Sequence, residues 1–274
     1  AFVQYWIEQT GIRDIALAGG VFANVKLNQR IAELNDVDSI WIAPHMGDGG
    51  LAAGAALASA DHPSSQLPHA YLGFEPSRDD NFRAIKRNAL PRDNSNVIAR
   101  VADCLCASKV VARCSGAMEW GPRALGNRSI FALANKKGIN FSLNQKLGRT
   151  EFMPFAPIVR DCDAEQYFLG LETIKEASRF MTVCVECTEQ FKQEAPAAVH
   201  IDGTARPQIL RKEDNPEVYE LLGEIKKRTG SGILINTSFN MHEEPIVCTA
   251  DDAVRAYLAS GIEGLWLGEF FVER

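Results

Sequence analysis

Two arginines in a glycine-rich run raise the first question about chemistry. The segment GAMEWGPRALGNRSI, Gly116 to Ile130, places Arg123 and Arg128 among Gly121, Pro122 and Gly126, with Asn127 and Ser129 alongside. Glycine lets backbone approach a ligand closely, and a guanidinium fork matches phosphate or carbonyl oxygens at two points. The same composition suits an arginine pair making salt bridges in a surface loop, so the segment alone leaves both uses open. A second run, NQKLGRTEFMPFAPIV from Asn144 to Val159, carries Lys146 and Arg149 ahead of Phe152, Pro154, Phe155 and Pro157. Prolines fix the path of the chain, and a rigid wall behind two cations is what anion binding requires against their mutual repulsion. Solvated charges at a helix end are the alternative.

The third segment, DGTARPQIL from Asp202 to Leu210, sets Arg206 in a turn ahead of a strand. The fourth, GILINTSFNMHEEPIV from Gly232 to Val247, ends an apolar strand in Asn236, Thr237, Ser238 and Asn240. Small hydrogen-bonding groups at the carboxyl end of a buried strand sit where open α/β sheets place ligands. Capping is the commoner use of Asn and Ser. Nearer the start, Gly19-Gly20 with Asn24 could hold a nucleotide by backbone contact and an amide hydrogen bond, a pattern of low specificity. Asp48, in HMGDGG, is a carboxylate in a glycine turn after a strand, a place for a metal ligand or a phosphate-linked cation. A lone Asp there is more often a helix cap. His45 lies three residues before it, and one His with one Asp is too few to define a metal site. His242, isolated in NMHEEP, reads as a turn histidine.

The elements that must position these groups follow from periodicity. A short apolar run, Ile15 to Ala18, meets the glycine pair and then a helical pattern with Val25, Leu27, Ile31 and Leu34. Ser39 to Pro44 is a second buried strand, followed by a small-residue helix from about Leu51. These units predict an α/β layer with a ligand edge at the glycine turns. Residues 61–98 are richer in Pro, Ser, Asp and Asn and read as a linker with one short helix near Asp80–Arg87. A helix from Asn96–Val97 leads into the strand Lys109 to Cys114, and a second α/β unit follows. Its expected strands are Ser129–Ala134, Ala156–Val159, Met181–Cys187, Gly232–Asn236 and Leu265–Leu267. Its expected helices are Ile139–Leu147, Ala164–Phe168, Pro216–Gly230 and Ala250–Ser260, the last with Thr249 as N-cap and Gly261 after its end.

With 274 residues the chain exceeds the usual size of one domain, and 46% hydrophobic with 23% charged residues is ordinary for a globular protein. A net charge of −6 argues against broad nucleic-acid binding, which needs a basic surface. No stretch approaches the roughly 20 apolar residues that span a bilayer. The opening AFVQYWIEQTG lacks the features of a signal peptide and reads as a helix already under way, as in a piece of something longer. Seven cysteines are too sparse and odd in number for a disulfide framework. Cys184 and Cys187 form a CxxC, yet MTVCVECT alternates like a half-buried strand, on which positions three apart face opposite ways. A structural role in a reduced, cytoplasmic protein is the expectation.

The segments LAGGVFAN, PHMGDGGLAAGAAL, MEWGPRALGNRSI, GRTEFMPFAP, DGTARPQ and INTSFNMHEEPIVCTADDAV fall in order over nearly the whole chain. Together they resemble the carbamoyltransferase family that includes the nodulation-factor and antibiotic O-carbamoyltransferases. The resemblance implies an α/β protein in which an actin/Hsp70/sugar-kinase-type domain precedes a YrdC-like domain. Residues 1–60 would be the last part of the first domain, 61–98 a linker, and 99–274 the YrdC-like domain. It also implies a two-step reaction: carbamoyl phosphate and ATP give a carbamoyl adenylate, and an acceptor hydroxyl then takes the carbamoyl group with help from a metal.

On that resemblance Arg123, Arg128, Arg149, Arg206 and Ser238 form the catalytic set. Lys146, Asn127, Ser129, Asn236, Gly19, Gly20 and Asn24 contact substrates or nucleotide. Asp48 matches the family's metal aspartate, whose histidine partners lie upstream in the family. ATP enters as co-substrate with Mg2+, and a divalent iron-type metal belongs to the complete enzyme. Partners are small molecules, without nucleic acid or membrane. Where the family carries an arginine before its Pro-Phe-Ala-Pro, this chain has Met153, and its lysine spacing is offset at Lys146. The competing readings are a threonylcarbamoyl-adenylate synthase-like RNA-modification enzyme, which the acidic charge disfavours, and a non-catalytic nucleotide-binding module, which the loss at Met153 would suit.

Overall fold

The computed structural model describes residues 1–60, 67–148 and 155–274. The first sixty residues form α1 (Phe2–Thr10), β1 (Asp14–Leu17), α2 (Val25–Ala32), β2 (Ser39–Ile42) and α3 (Leu51–Ala58). β1 and β2 pair in parallel from Asp14↔Ser39 to Leu17↔Ile42. Next come α4 (Arg78–Arg87), α5 (Val97–Cys106), β3 (Val111–Cys114), β4 (Arg128–Leu133), α6 (Ile139–Lys146) and β5 (Ala156–Arg160). They are followed by α7 (Leu171–Ile174), β6 (Val185–Glu186), α8 (Glu189–Glu194), β7 (Thr204–Ala205) and β8 (Gln208–Leu210). The chain closes with α9 (Pro216–Thr229), β9 (Leu234–Ser238), α10 (Ala250–Ser260), β10 (Gly264–Leu267) and β11 (Phe270–Glu273).

The main sheet is mixed and seven-stranded, in the order β11-β10-β3-β4-β9-β5-β8. Only β10–β3 and β5–β8 run parallel within it. Its central strands are buried on both faces, which is why they read as continuous apolar runs. Successive residues still divide between two cores. Val111, Phe131, Ile158, Leu234 and Trp266 pack with α5 and α9 through Val101, Leu105, Leu221 and Ile225. Their neighbours Ala112, Ile130, Val159, Ile235 and Leu265 join the opposite core with Ile85, Val254 and Tyr257 from α4 and α10. That opposite core extends without a break into Leu17, Ile31, Ile40 and Ile42 of the first sixty residues.

Several short elements depart from expectation. The strand expected over Met181–Cys187 is reduced to Val185–Glu186, because Met181 adopts a left-handed φ of 55° at the end of a tight helical turn, Ala177–Phe180. Its alternation records burial on several sides, with Cys184 and Cys187 both buried and all seven cysteines free. The helix expected over Ala164–Phe168 is a tight turn, Asp161–Gln166. Within the expected linker, α4 sends Ala84 and Ile85 into the core, and Asp93 bridges to Phe271 on the edge strand. Among the described residues no helix is long and apolar enough to cross a membrane.

Candidate functional site

The loop between β3 and β4 contains the first arginine-glycine motif, and a buried polar frame holds it. Glu119 is only 7% exposed, and its Oε1 accepts from the backbone N–H of Leu125 at 2.7 Å, Asn127 at 2.8 Å and Arg128 at 3.2 Å. Arg113, on β3, is 1% exposed; it donates to the Gly126 carbonyl at 2.8 Å and Asn127 Oδ1 at 2.6 Å, pairs with Glu217, and lies 4.3 Å from the Trp266 ring centroid. Asn127 Oδ1 also accepts from Asn215, and its Nδ2 donates to Ala117. Ser129 Oγ accepts from Gly126 N at 2.9 Å. Asn127 and Ser129 therefore brace the loop with their side chains.

Arg128 belongs to the same frame. Fully buried, it donates through Nη1 to the carbonyls of Ser115, Gly116 and Asn127, and through Nη2 to those of Phe74 and Cys248. Only its buried Nε lacks an acceptor. Its donors are spent on backbone from three separate segments.

Arg123 is different. It projects from the loop half-buried, and its Nε is buried without a hydrogen-bond partner. Arg206, half-buried in the turn between β7 and β8, lies within electrostatic reach of it. Burial, and then the Arg123 charge, push the Arg206 guanidinium down to about 10, and burial lowers Arg123 as well. Among the described residues neither forms an ion pair. Cys184 also lies within electrostatic reach of both, and burial pushes its thiol up to about 11, which keeps it neutral. Two half-buried cations thus act on one another with no carboxylate paired to either among the described residues, an arrangement that repels itself unless a ligand supplies the charge.

Two contacts tie the arginine-bearing segments together. The Leu125 carbonyl accepts from Gln208 Nε2 on β8 at 2.7 Å and from the Tyr71 hydroxyl at 2.8 Å; burial, then the Glu119 charge, raises the Tyr71 phenol. Asn236, 1% exposed on the interior strand β9, donates to the Ala124 carbonyl at 3.2 Å and to Gln208 Oε1 at 2.7 Å. Its own Oδ1 is buried without a partner, a state costing about 1–3 kcal/mol when no ligand or water relieves it.

The remaining expected residues have other surroundings. Lys146 Nζ is paired with Glu263 at 2.5 Å and donates to the Gly261 carbonyl at 3.0 Å. Ser238 Oγ donates to Asn240 Oδ1 at 2.6 Å. Arg149 and Met153 lie outside the described residues. Asn24 caps α2, its Oδ1 accepting from Lys26 and Leu27, and Gly19 N donates to the Met46 carbonyl. Asp48 is exposed in a tight turn, while His45 Nδ1 is buried unpartnered and its ring meets Trp120 edge-on at 5.5 Å. Among the described residues no cluster of three His, Cys, Asp or Glu exists that could hold a metal, so the residues here do not by themselves fit the expected iron-type centre. Glu119, Arg113, Tyr71 and Gln208 were not singled out beforehand. Glu119 and Gln208 lie inside the motifs, but their partners are distant in the chain.

The first sixty residues dock beside this frame. Asn28 Nδ2 donates to the Thr182 carbonyl at 2.7 Å, and Lys26 pairs with Asp202 at 2.5 Å, four residues before Arg206. Gly121 lies backbone to backbone against Pro44: at its φ of 127°, an added Cβ would stand 2.7 Å from the Pro44 carbonyl oxygen. Gly121→Ala is therefore expected to cost roughly 2–4 kcal/mol in urea unfolding from backbone strain and the clash. Gly138→Ala, with φ −65° and open space, should stay within about 0.5 kcal/mol. Equal effects would show that Pro44 does not press on the loop.

A family model described as Carbamoyltransferase N-terminus matches residues 3–57, and one described as Carbamoyltransferase C-terminus matches residues 102–274. An uncharacterized protein of Methanocaldococcus jannaschii is 35% identical over 96% of this chain and 51% of its own length. Nodulation protein NolO of Bradyrhizobium diazoefficiens is 34% identical over 97% of this chain and 50% of its own. A crystal structure of full-length HypF in the phosphate- and nucleotide-bound form aligns over 62% of this chain and 21% of that one, at 20% identity and a TM-score of 0.45. The chain spans about half the length of the curated relatives it matches. With both family models matched in order, and the second covering the whole loop frame around Arg123 and Arg206, this chain belongs to the carbamoyltransferase family.

Proposed function

We propose that this chain carries the carbamoyl-activating step of an O-carbamoyltransferase, with residues 99–274 acting as a YrdC-like unit. The observation that supports this is the Arg123–Arg206 pair, two half-buried cations within electrostatic reach of one another that have no carboxylate partner among the described residues. Carbamoyl phosphate and ATP are polyanions that repel one another, and guanidinium forks can hold both against that repulsion while charge redistributes at phosphorus. The balanced reaction is carbamoyl phosphate, ATP and water giving carbamoyl adenylate, phosphate and pyrophosphate. The acceptor hydroxyl oxygen then bonds to the carbamoyl carbon, and AMP leaves. Mg2+ would arrive on the ATP phosphates.

The test is pyrophosphate release on mixing the chain with Mg2+, ATP and carbamoyl phosphate. Release that needs both substrates is expected. Release that needs threonine and bicarbonate instead would move the assignment to a threonylcarbamoyl-adenylate synthase-like enzyme. ATP binding in calorimetry with no carbamoyl phosphate binding would leave a nucleotide-binding module.

A further inference from the structure

The orphan acceptor on Asn236 has a fixed direction. A backbone carbonyl can only accept, so the end of Gln208 that meets the Leu125 carbonyl must be its amide NH2. Its Oε1 then faces Asn236, which must present Nδ2 to it; the Ala124 carbonyl demands the same group. The Asn236 amide cannot flip without setting oxygen against oxygen at both partners. What remains is Oδ1, buried, unpartnered, and able only to accept. It sits on a side chain bonded to Ala124, next to Arg123, and to Gln208, two residues beyond Arg206.

Resting on the reading of carbamoyl phosphate as substrate, we propose that Asn236 Oδ1 accepts a hydrogen bond from the carbamoyl NH2 and so selects carbamoyl over other acyl phosphates. Acetyl phosphate is close in shape and carries the same phosphate, but it has a methyl group where carbamoyl phosphate has NH2. A methyl cannot satisfy the orphan oxygen, and a site built around a buried acceptor rejects an analogue that leaves it unpaired. The guanidinium pair would bind the shared phosphate, and Asn236 would read the part that differs.

The experiment is calorimetric titration of the chain with carbamoyl phosphate, acetyl phosphate and inorganic phosphate, without ATP so that nothing turns over. Wild type should bind carbamoyl phosphate at least about tenfold tighter than acetyl phosphate. In Asn236→Ala that preference should shrink to within about twofold, with acetyl phosphate affinity little changed. Equal binding of the two acyl phosphates by wild type, or a preference that survives in Asn236→Ala, overturns this inference and leaves the anion site standing. Binding of neither acyl phosphate overturns the proposed function itself. Should Asn236→Ala not fold, a crystal structure of wild type with carbamoyl phosphate decides: the carbamoyl nitrogen is expected within hydrogen-bond distance of Asn236 Oδ1, and any other partner for that nitrogen rejects the assignment.

Discussion

Arg206→Met is expected to reduce carbamoyl phosphate-dependent pyrophosphate release by about 10²–10³-fold, the scale for removing one positioned donor to developing charge, while making the ligand-free protein more stable. The second half follows from linkage. The folded protein holds the Arg206 proton less tightly than the unfolded chain does, at about 10, well below the ordinary guanidinium range. Such a depressed cation destabilises the fold throughout the range below about pH 10, and the penalty fades as pH rises from there toward the ordinary guanidinium range. Because the group is half-buried and water partly screens it, its removal should relieve about 1–2 kcal/mol at pH 7. Urea unfolding with and without carbamoyl phosphate reads both effects: the ligand-free midpoint should rise, and the stabilisation by ligand should vanish. A variant that unfolds more easily, or one that releases pyrophosphate undiminished, removes Arg206 from the site.

The opposite signs expected within one set of arginines show where sequence reading reached its limit. Strongly periodic, well-capped elements were legible: α10 has its expected bounds, with Thr249 accepting from Asp252, and α9 ends one residue early. The motifs also located the loops that approach one another, since Arg123 and Arg206 do share one electrostatic environment. What each side chain does there was not legible. A guanidinium becomes a strut or a free fork according to what else reaches it, and the groups reaching Arg128 come from Phe74 and Cys248, 54 and 120 residues away in the chain. Lys146 reads as a free cation until Glu263, 117 residues on, is folded against it. Asn24 is answered locally, by capping its own helix. In MTVCVEC, residues buried by several different neighbours produced a period-two pattern without a continuous strand, so the pattern reported burial and not hydrogen bonding.

Arg128→Met should then do the reverse of Arg206→Met. It takes a donor from the carbonyls of Ser115, Gly116, Asn127, Phe74 and Cys248, of which Asn127 and Phe74 keep backbone donors from Ser115 and Met118, and it removes the fork that joins three segments. The expected loss is about 3–5 kcal/mol in urea unfolding, in the range for breaking a buried charged network. Arg128→Lys should recover little, since one ammonium cannot supply donors on both sides of a guanidinium plane. Pyrophosphate release, measured on whatever fraction stays folded at low temperature, should fall less than in Arg206→Met, because the surviving molecules still present Arg123 and Arg206 to the phosphates. If Arg128→Met were instead as stable as its parent and unable to bind carbamoyl phosphate, the five carbonyl contacts would be incidental and Arg128 would rejoin the substrate set. The distinction rests on hydrogen-bond accounting: a cation whose Nη donors are committed to backbone carbonyls has no fork left for a ligand, whereas one left unpaired beside another cation weakens the fold until an anion arrives.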